Sequence, residues 1–181
     1  MKRIEGGITA PKGFVASGVS CGIKSGSRDL AVIASPEEPC VAAGVFTTNK
    51  VKAAPVHITR RRLWKGPIAM AVVVNSGNAN CCTGERGVRD ALRMTEVCAG
   101  EMGIPPDDVL VASTGPIGKF LPMEKVEEGI RQAVKTLTKE LADANGQMER
   151  DLKALQDIAA FLRLVTEAVK LAASIVVLAA A

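Results

Sequence analysis

The sequence predicts an α/β fold, and three observations carry that prediction. Two runs rich in β-branched residues each end in a polar, glycine-rich turn; a helical periodicity follows each turn; and the resulting order is β, α, β, α. Residues 68–74 end in Asn75-Ser76-Gly77-Asn78-Ala79-Asn80, and residues 109–112 end in Ser113-Thr114-Gly115-Pro116-Ile117-Gly118. A buried strand that stops in such a turn and then starts a helix leaves hydroxyls, amides and backbone N–H groups at one edge of a sheet, where ligands bind.

Taken in order, the chain opens with glycines and short strands. Residues 30–34 and 41–46 are apolar and partly β-branched, and the turn Ser35-Pro36-Glu37-Glu38-Pro39 between them makes them a hairpin candidate. After Ala54-Pro55, residues 56–58 read as a further short strand in which His57 alternates with Val56 and Ile58. Residues 68–74 are the most strand-like run. Val88, Ala91, Leu92, Thr95, Cys98 and Met102 then follow helical spacing, with Gly103 placed just past the end and Pro105 beyond it. Residues 109–112 form the next strand. Pro122 starts a second helix that carries Val126, Ile130, Ala133, Val134 and Leu137 on one face. A strand, helix, strand unit with a short return leaves its two strands parallel. The turns 75–80 and 113–118 therefore lie on the same edge and can share a pocket.

Composition narrows the function classes. The chain has 181 residues, 48% hydrophobic and 23% charged, which suits one globular domain with a real core. Its net charge of +4 is mild, and with 4 Phe, 1 Trp and no Tyr it lacks the stacking partners of a nucleic-acid surface. The cluster Arg60-Arg61-Arg62 reads as a solvated turn. Five cysteines without metal spacing and without a secretory signal fit a reducing cytosol, so the expected location is cytoplasmic. A single histidine, His57, excludes a multi-histidine metal site and reads as structural or surface; no metal and no cofactor is expected.

Two chemistries compete for the shared edge. Gly115-Pro116-Ile117-Gly118-Lys119 has a superficial likeness to a phosphate-binding loop, but two residues stand between its glycines where four are needed, Phe120 follows the lysine, and Pro116 removes an N–H. An oxyanion hole fits better: Thr114 offers a hydroxyl and Gly115 a backbone N–H to an oxygen that becomes negative during acyl transfer.

Further strings extend the pattern: Gly6-Gly7-Ile8-Thr9-Ala10-Pro11-Lys12-Gly13-Phe14, Ala43-Gly44-Val45-Phe46-Thr47-Thr48-Asn49, Ala53-Ala54-Pro55-Val56, the turn Asn75 to Asn80 with Thr83-Gly84, and Ala112-Ser113-Thr114-Gly115 with Ile117-Gly118. In this order and at this spacing, from residue 1 to about 140, they resemble the N-terminal half of ornithine acetyltransferase, the glutamate N-acetyltransferase of arginine biosynthesis. The resemblance implies a layered sandwich of mixed sheet and helices. It also implies a precursor that cuts itself before an internal threonine, giving two subunits that assemble as a heterotetramer. The new N-terminal threonine, on the β chain, takes an acetyl group from N-acetylornithine and passes it to glutamate; acetyl-coenzyme A stays open as an extra donor. A terminal threonine can use its own α-amine as base, which accounts for the shortage of histidine. In that scheme Thr114 and Gly115 match the pair that stabilises the oxyanion, and the Asn75 to Asn80 turn shapes the same region.

Beyond about residue 142 the chain departs from the pattern. A stretch like I-M-T-T-D-T, a substrate lysine segment and the N-M-A-T junction are absent, and Pro116 stands where the family commonly has an aliphatic residue. Residues 1–147 are expected to form the acetyltransferase part and 148–181 an added C-terminal helix. Leu152, Leu155, Ala159, Leu162, Val165, Val169, Ala172 and Val176 recur three or four apart, and 171–181 carry no charge yet are too few to cross a bilayer of about 30 Å. A helix packed on the sheet or one buried in a partner both suit it, in preference to a membrane anchor. Thr166 sits mid-helix with no base or elbow, so it is not expected to be a nucleophile.

Three functions follow from these features. The chain is an N-terminal subunit or fragment of the acetyltransferase, inactive alone for want of the nucleophile; or a non-catalytic assembly module that oligomerises through its last helix; or a related self-processing aminopeptidase, which the quoted strings argue against.

Overall fold

A computed structural model describes residues 6–179, with side chains described at all of these except 144, 161 and 168–179. Its strands are β1 (Val15–Val19), β2 (Leu30–Ala34), β3 (Cys40–Val41), β4 (Ile68–Ala69), β5 (Ala71–Ser76) and β6 (Val109–Thr114). Its helices are α1 (Ala54–Lys65), α2 (Gly84–Met102) and α3 (Met123–Ala179), with one 3-10 turn at Pro106–Asp108. The chain divides into two compact units, 1–139 and 140–181.

In the first unit the main sheet runs β1-β2-β5-β6. β1, β2 and β5 are antiparallel neighbours, whereas β5 and β6 are parallel, with Asn75 opposite Ser113 and Ser76 opposite Thr114. The α/β class and the parallel β5-α2-β6 crossover match the expectation, and the sheet is mixed. Val32, Val73 and Val111 on one face of the sheet join Met94 and Cys98 of α2 and Val126, Ile130, Ala133, Val134 and Leu137 of α3 in a single core.

Helix α2 ends as its composition requires. Gly103 adopts φ 68, a left-handed value that costs glycine nothing, and returns its N–H to the Ala99 carbonyl. Its buried face is carried by Ala91, Met94, Thr95 and Cys98, while Val88 and Leu92, counted with that face from spacing, are 41% and 38% exposed.

Three local readings are corrected. Residues 30–34 and 41–46 do not form a hairpin: β2 is central, between β1 and β5, while only Cys40 and Val41 extend, and they pair with Ile68 and Ala69 in a separate two-stranded sheet. The run 68–74 is accordingly split, with β4 in the small sheet and β5 in the large one. Residues 56–58 are helical, because Pro55 occupies the first turn of α1, where its missing N–H costs nothing, and Ala54 and Ile58, four apart, face the core. His57 is exposed on that helix.

The Arg60-Arg61-Arg62 cluster therefore belongs to a helix, not a turn. Arg60 lies over the exposed Trp64 ring, but Arg62 turns inward, its guanidinium donating to the Val109 carbonyl and, at 3.0 Å, to the Thr95 hydroxyl. One turn earlier the Thr59 hydroxyl donates to the Val111 carbonyl (2.7 Å) and accepts from the Val111 N–H (3.1 Å). Helix α1 thus supplies polar groups to β6, the last strand of the sheet, whose backbone would otherwise lack a partner.

The second unit is the continuation of α3, which runs unbroken past residue 147. Met148, Leu152, Leu155, Ile158 and Leu162 are each more than half exposed. Val169, Ala172 and Val176 of the expected stripe lie outside the described side chains. Thr166 donates its hydroxyl to the Leu162 carbonyl four residues earlier, an ordinary mid-helix bond. Among the described residues no helix is long and apolar enough to cross a membrane, and no group of three or more His, Cys, Asp or Glu is placed to hold a metal ion.

Candidate functional site

Because β5 and β6 are parallel neighbours, their carboxyl ends deliver the two polar turns to one edge, where the turns are bonded to each other. The Asn78 N–H donates to the Thr114 carbonyl (3.1 Å), the Ala79 N–H to the Pro116 carbonyl (3.1 Å), and the Gly118 N–H to the Cys81 carbonyl (2.8 Å). Thr114 and Gly115 are both exposed at this rim, on the same side as the asparagine bend. Gly115 has φ +142, and a Cβ placed there would stand 2.4 Å from the Asn78 nitrogen. Only glycine allows the two turns to touch.

The asparagines work inside the bend. Asn75, Asn78 and Asn80 are 0%, 4% and 0% exposed. Asn75 donates to the Asn78 carbonyl (2.9 Å) and the Asn78 amide to the Phe120 carbonyl (3.0 Å). The Asn78 side-chain oxygen accepts the Asn80 N–H (2.8 Å). Asn80 donates to the Gly87 carbonyl (2.7 Å) and accepts the Thr83 hydroxyl (2.8 Å). These side chains fasten the bend to β6's exit and to the start of α2, and so hold the Thr114 rim in place. Two polar atoms on register partners, the Asn75 side-chain oxygen and the Ser113 hydroxyl, are buried without a hydrogen-bond partner.

A residue missed from sequence completes the rim's support. Asp29 is 2% exposed, and its carboxylate accepts from the N–H groups of Cys21 (2.7 Å), Ile23 (2.7 Å) and Lys24 (2.8 Å). Its backbone carbonyl takes the Ser76 N–H at 2.8 Å, at the start of the bend. Burial works to raise this carboxyl, but the bonds from Lys24, Cys21 and Ile23 outweigh it and hold it below the usual carboxylate range. Burial, then Asp29 itself, pushes the neighbouring Cys21 thiol up to about 11. The signal available in sequence was Asp29 directly ahead of an apolar strand and after a polar run, too common a pattern to single out. Between these elements lies a depression of about 230 Å³ lined by Gly18, Arg28, Asp29, Leu30, Ala31, Val74, Asn75 and Ser76.

The arrangement is an exposed hydroxyl next to a glycine on a braced rim; His57, exposed on α1, takes no part in the hydrogen bonds that tie the rim together. Such a rim can stabilise developing negative charge.

The ArgJ family model matches residues 15–175 of the chain. That match carries into residues 148–175, although none of the strings that mark the family lies there. The arginine biosynthesis bifunctional protein ArgJ of Symbiobacterium thermophilum is 53% identical over 143 residues, covering 77% of this chain and 35% of its own length. The protein of the same description from Bacillus subtilis is 45% identical over 147 residues, with 81% and 35% covered. Among solved structures, that of ArgJ from Bacillus halodurans has a TM-score of 0.68 at 46% identity, covering 70% of this chain and 66% of the other. Ornithine acetyltransferase from Mycobacterium tuberculosis, crystallised with ornithine, also has a TM-score of 0.68 at 46% identity, with 71% and 69% covered. The chain spans about a third of the length of the curated relatives it matches.

Proposed function

The chain belongs to the ArgJ family, and from that premise we propose that it is the N-terminal part of a glutamate N-acetyltransferase of arginine biosynthesis, which moves an acetyl group from N-acetylornithine to glutamate. The nucleophile is an N-terminal threonine on a β chain, released by self-cleavage and assembled with this chain as a heterotetramer in the cytoplasm. Residues 1–147 are the acetyltransferase part and 148–181 an appended helical tail.

The observation that carries this reading is the Thr114–Gly115 rim. When the threonine hydroxyl adds to the acetyl carbonyl, that oxygen gains negative charge; the Thr114 hydroxyl and Gly115 N–H donate to it, and its collapse expels the ornithine amine. Attack by the glutamate amine on the acyl-threonine reverses the sequence at the same rim. Acetyl-coenzyme A suits the same chemistry as a further donor. A second chain is supported by the sheet: Ile33, Val72 and Val74 point away from the core face and are only half-buried, as in a strand built for cover on both sides.

The test is Thr114→Ala in the chain combined with its missing portion. Because Thr114 is exposed, stability is expected to hold while kcat falls on the order of a hundredfold or more; an unchanged kcat refutes the assignment. The chain alone is expected to show no acetyl transfer and, by mass spectrometry, no self-cleavage.

A second reading, a non-catalytic module that assembles through its last helix, is favoured by the exposed Met148, Leu152, Leu155 and Leu162. Deleting residues 148–181 and measuring mass by light scattering separates the two, since assembly through this helix requires collapse to monomer.

A further inference from the structure

We propose that Cys81 and Cys82 form a two-thiol chelating site for soft trivalent electrophiles of the arsenoxide class, and that filling it loosens the 113–118 turn.

Neighbouring side chains on an extended backbone point to opposite sides. Here they do not: the two sulfurs lie 3.9 Å apart, with Cys82 exposed and Cys81 half-buried. The backbone explains it. Asn80 (φ 48) and Cys82 (φ 59) flank Cys81 in left-handed conformations, the only non-glycine residues with positive φ among the described residues. That double kink is imposed from inside by the buried Asn80, which is bonded to Asn78, Gly87 and Thr83. The thiols are thus held together before any ligand arrives, and a preorganised pair pays less to bind.

The geometry selects the ligand. Adjacent Cα atoms stand about 3.8 Å apart, short of the roughly 4.4 Å minimum of ordinary disulfides, so a direct sulfur–sulfur bond is disfavoured. A single atom bridging the sulfurs needs far less movement. With an organic arsenoxide, two S–H bonds and the As–O double bond break, two As–S bonds form, and the oxygen leaves as water with both thiol protons. No electrons change hands. Burial, then the adjacent thiol, raises the Cys81 thiol above its ordinary value.

The lever is the Cys81 carbonyl, which holds the Gly118 N–H at 2.8 Å. Closing a ring across the 81–82 peptide tilts that carbonyl and weakens the bond, and the turn bearing Thr114 and Gly115 loses one of its three ties to the bend.

The probe is phenylarsine oxide, added to the full chain with excess monothiol. Intact mass is expected to show one phenylarsine oxide less one water per chain, retained against monothiol and released by dimercaptopropanol. Cys81→Ala, Cys81→Ser and Cys82→Ala are each expected to lower retention about a hundredfold, the usual scale of a lost second anchor, while Cys40→Ala leaves it unchanged. Exchange of the Gly118 amide is expected to quicken about tenfold on labelling, as for one lost hydrogen bond. Retention that survives in all three variants, or a label mapped to Cys21, Cys40 or Cys98, overturns the site; an unchanged Gly118 amide overturns the lever.

Discussion

Gly115 lies against Asn78 so closely that a Cβ at position 115 would stand 2.4 Å from the Asn78 nitrogen and 2.6 Å from the Gly77 carbonyl carbon. Two turns from different strands meet there backbone against backbone, beside the bond from the Asn78 N–H to the Thr114 carbonyl.

Gly115→Ala should therefore be among the most damaging single substitutions in the chain. Its backbone value of φ +142 is strained for any L side chain, and the atoms it meets are backbone and cannot rotate away. A loss on the order of 3 kcal/mol is expected in urea denaturation, from strain and displaced hydrogen bonds together. Gly118→Ala is the comparison: it has open space around it, and only its own φ of +77 opposes the change.

Thr59→Val keeps the shape of the side chain and removes the hydroxyl that serves both the N–H and the carbonyl of Val111. Two backbone groups of β6 are left unpaired beneath α1, a cost of about 2–4 kcal/mol. Hydrogen exchange should show the Val111 amide losing protection before amides elsewhere in the sheet.

Asp29 makes the fold sensitive to acid. Its carboxyl is held below its ordinary value of 3.8, so its contribution is present above that value and is lost as pH falls through the lower folded one. Asp29→Asn should lower stability at neutral pH and flatten the acid limb of a stability-against-pH curve, because the variant has no carboxylate left to protonate. An acid limb as steep as that of the parent chain would refute this.

The opposite sign applies to Cys21. Its thiol is raised from 9.0 to about 11, so stability is whole below pH 9 and falls as pH climbs toward the folded value. Cys21→Ala should remove part of that alkaline loss in thermal melts between pH 9 and 11.

Asn80→Ala removes two side-chain bonds, to the Gly87 carbonyl and from the Thr83 hydroxyl, at a fully buried position and puts alanine at φ 48, where asparagine is better tolerated. A loss of about 2–4 kcal/mol is expected by calorimetry. Asn80→Gly, which relieves the backbone but restores no bond, should recover only a minor part of it.

The β5-α2-β6 unit was readable from residue order because its signals are local. β-Branched runs make strands, a 3.6-residue apolar period makes the helix, Gly103 ends it, and a short return makes the strands parallel. The family strings lie on the same frame, which is why the sequence singles out Thr114 and Gly115 as candidates. What misled was equally local. Val56-His57-Ile58 alternates as a strand does, and three consecutive arginines look solvated, yet both belong to a helix.

Sequence alone settled the α/β class, the parallel pair, the common edge of the two turns and the family, because each rests on neighbours in the chain or on strings in fixed order. Tertiary structure alone decided that α1 is a helix turned toward β6 through Thr59 and Arg62, that β2 sits between β1 and β5, and that Asp29 and the three asparagines brace the rim from within. The physical reason is one of range. Hydrogen bonds such as Thr59 to Val111 or Asn78 to Phe120 join residues more than forty positions apart, and no pattern of neighbours along the chain encodes which distant backbone group a buried polar side chain will satisfy.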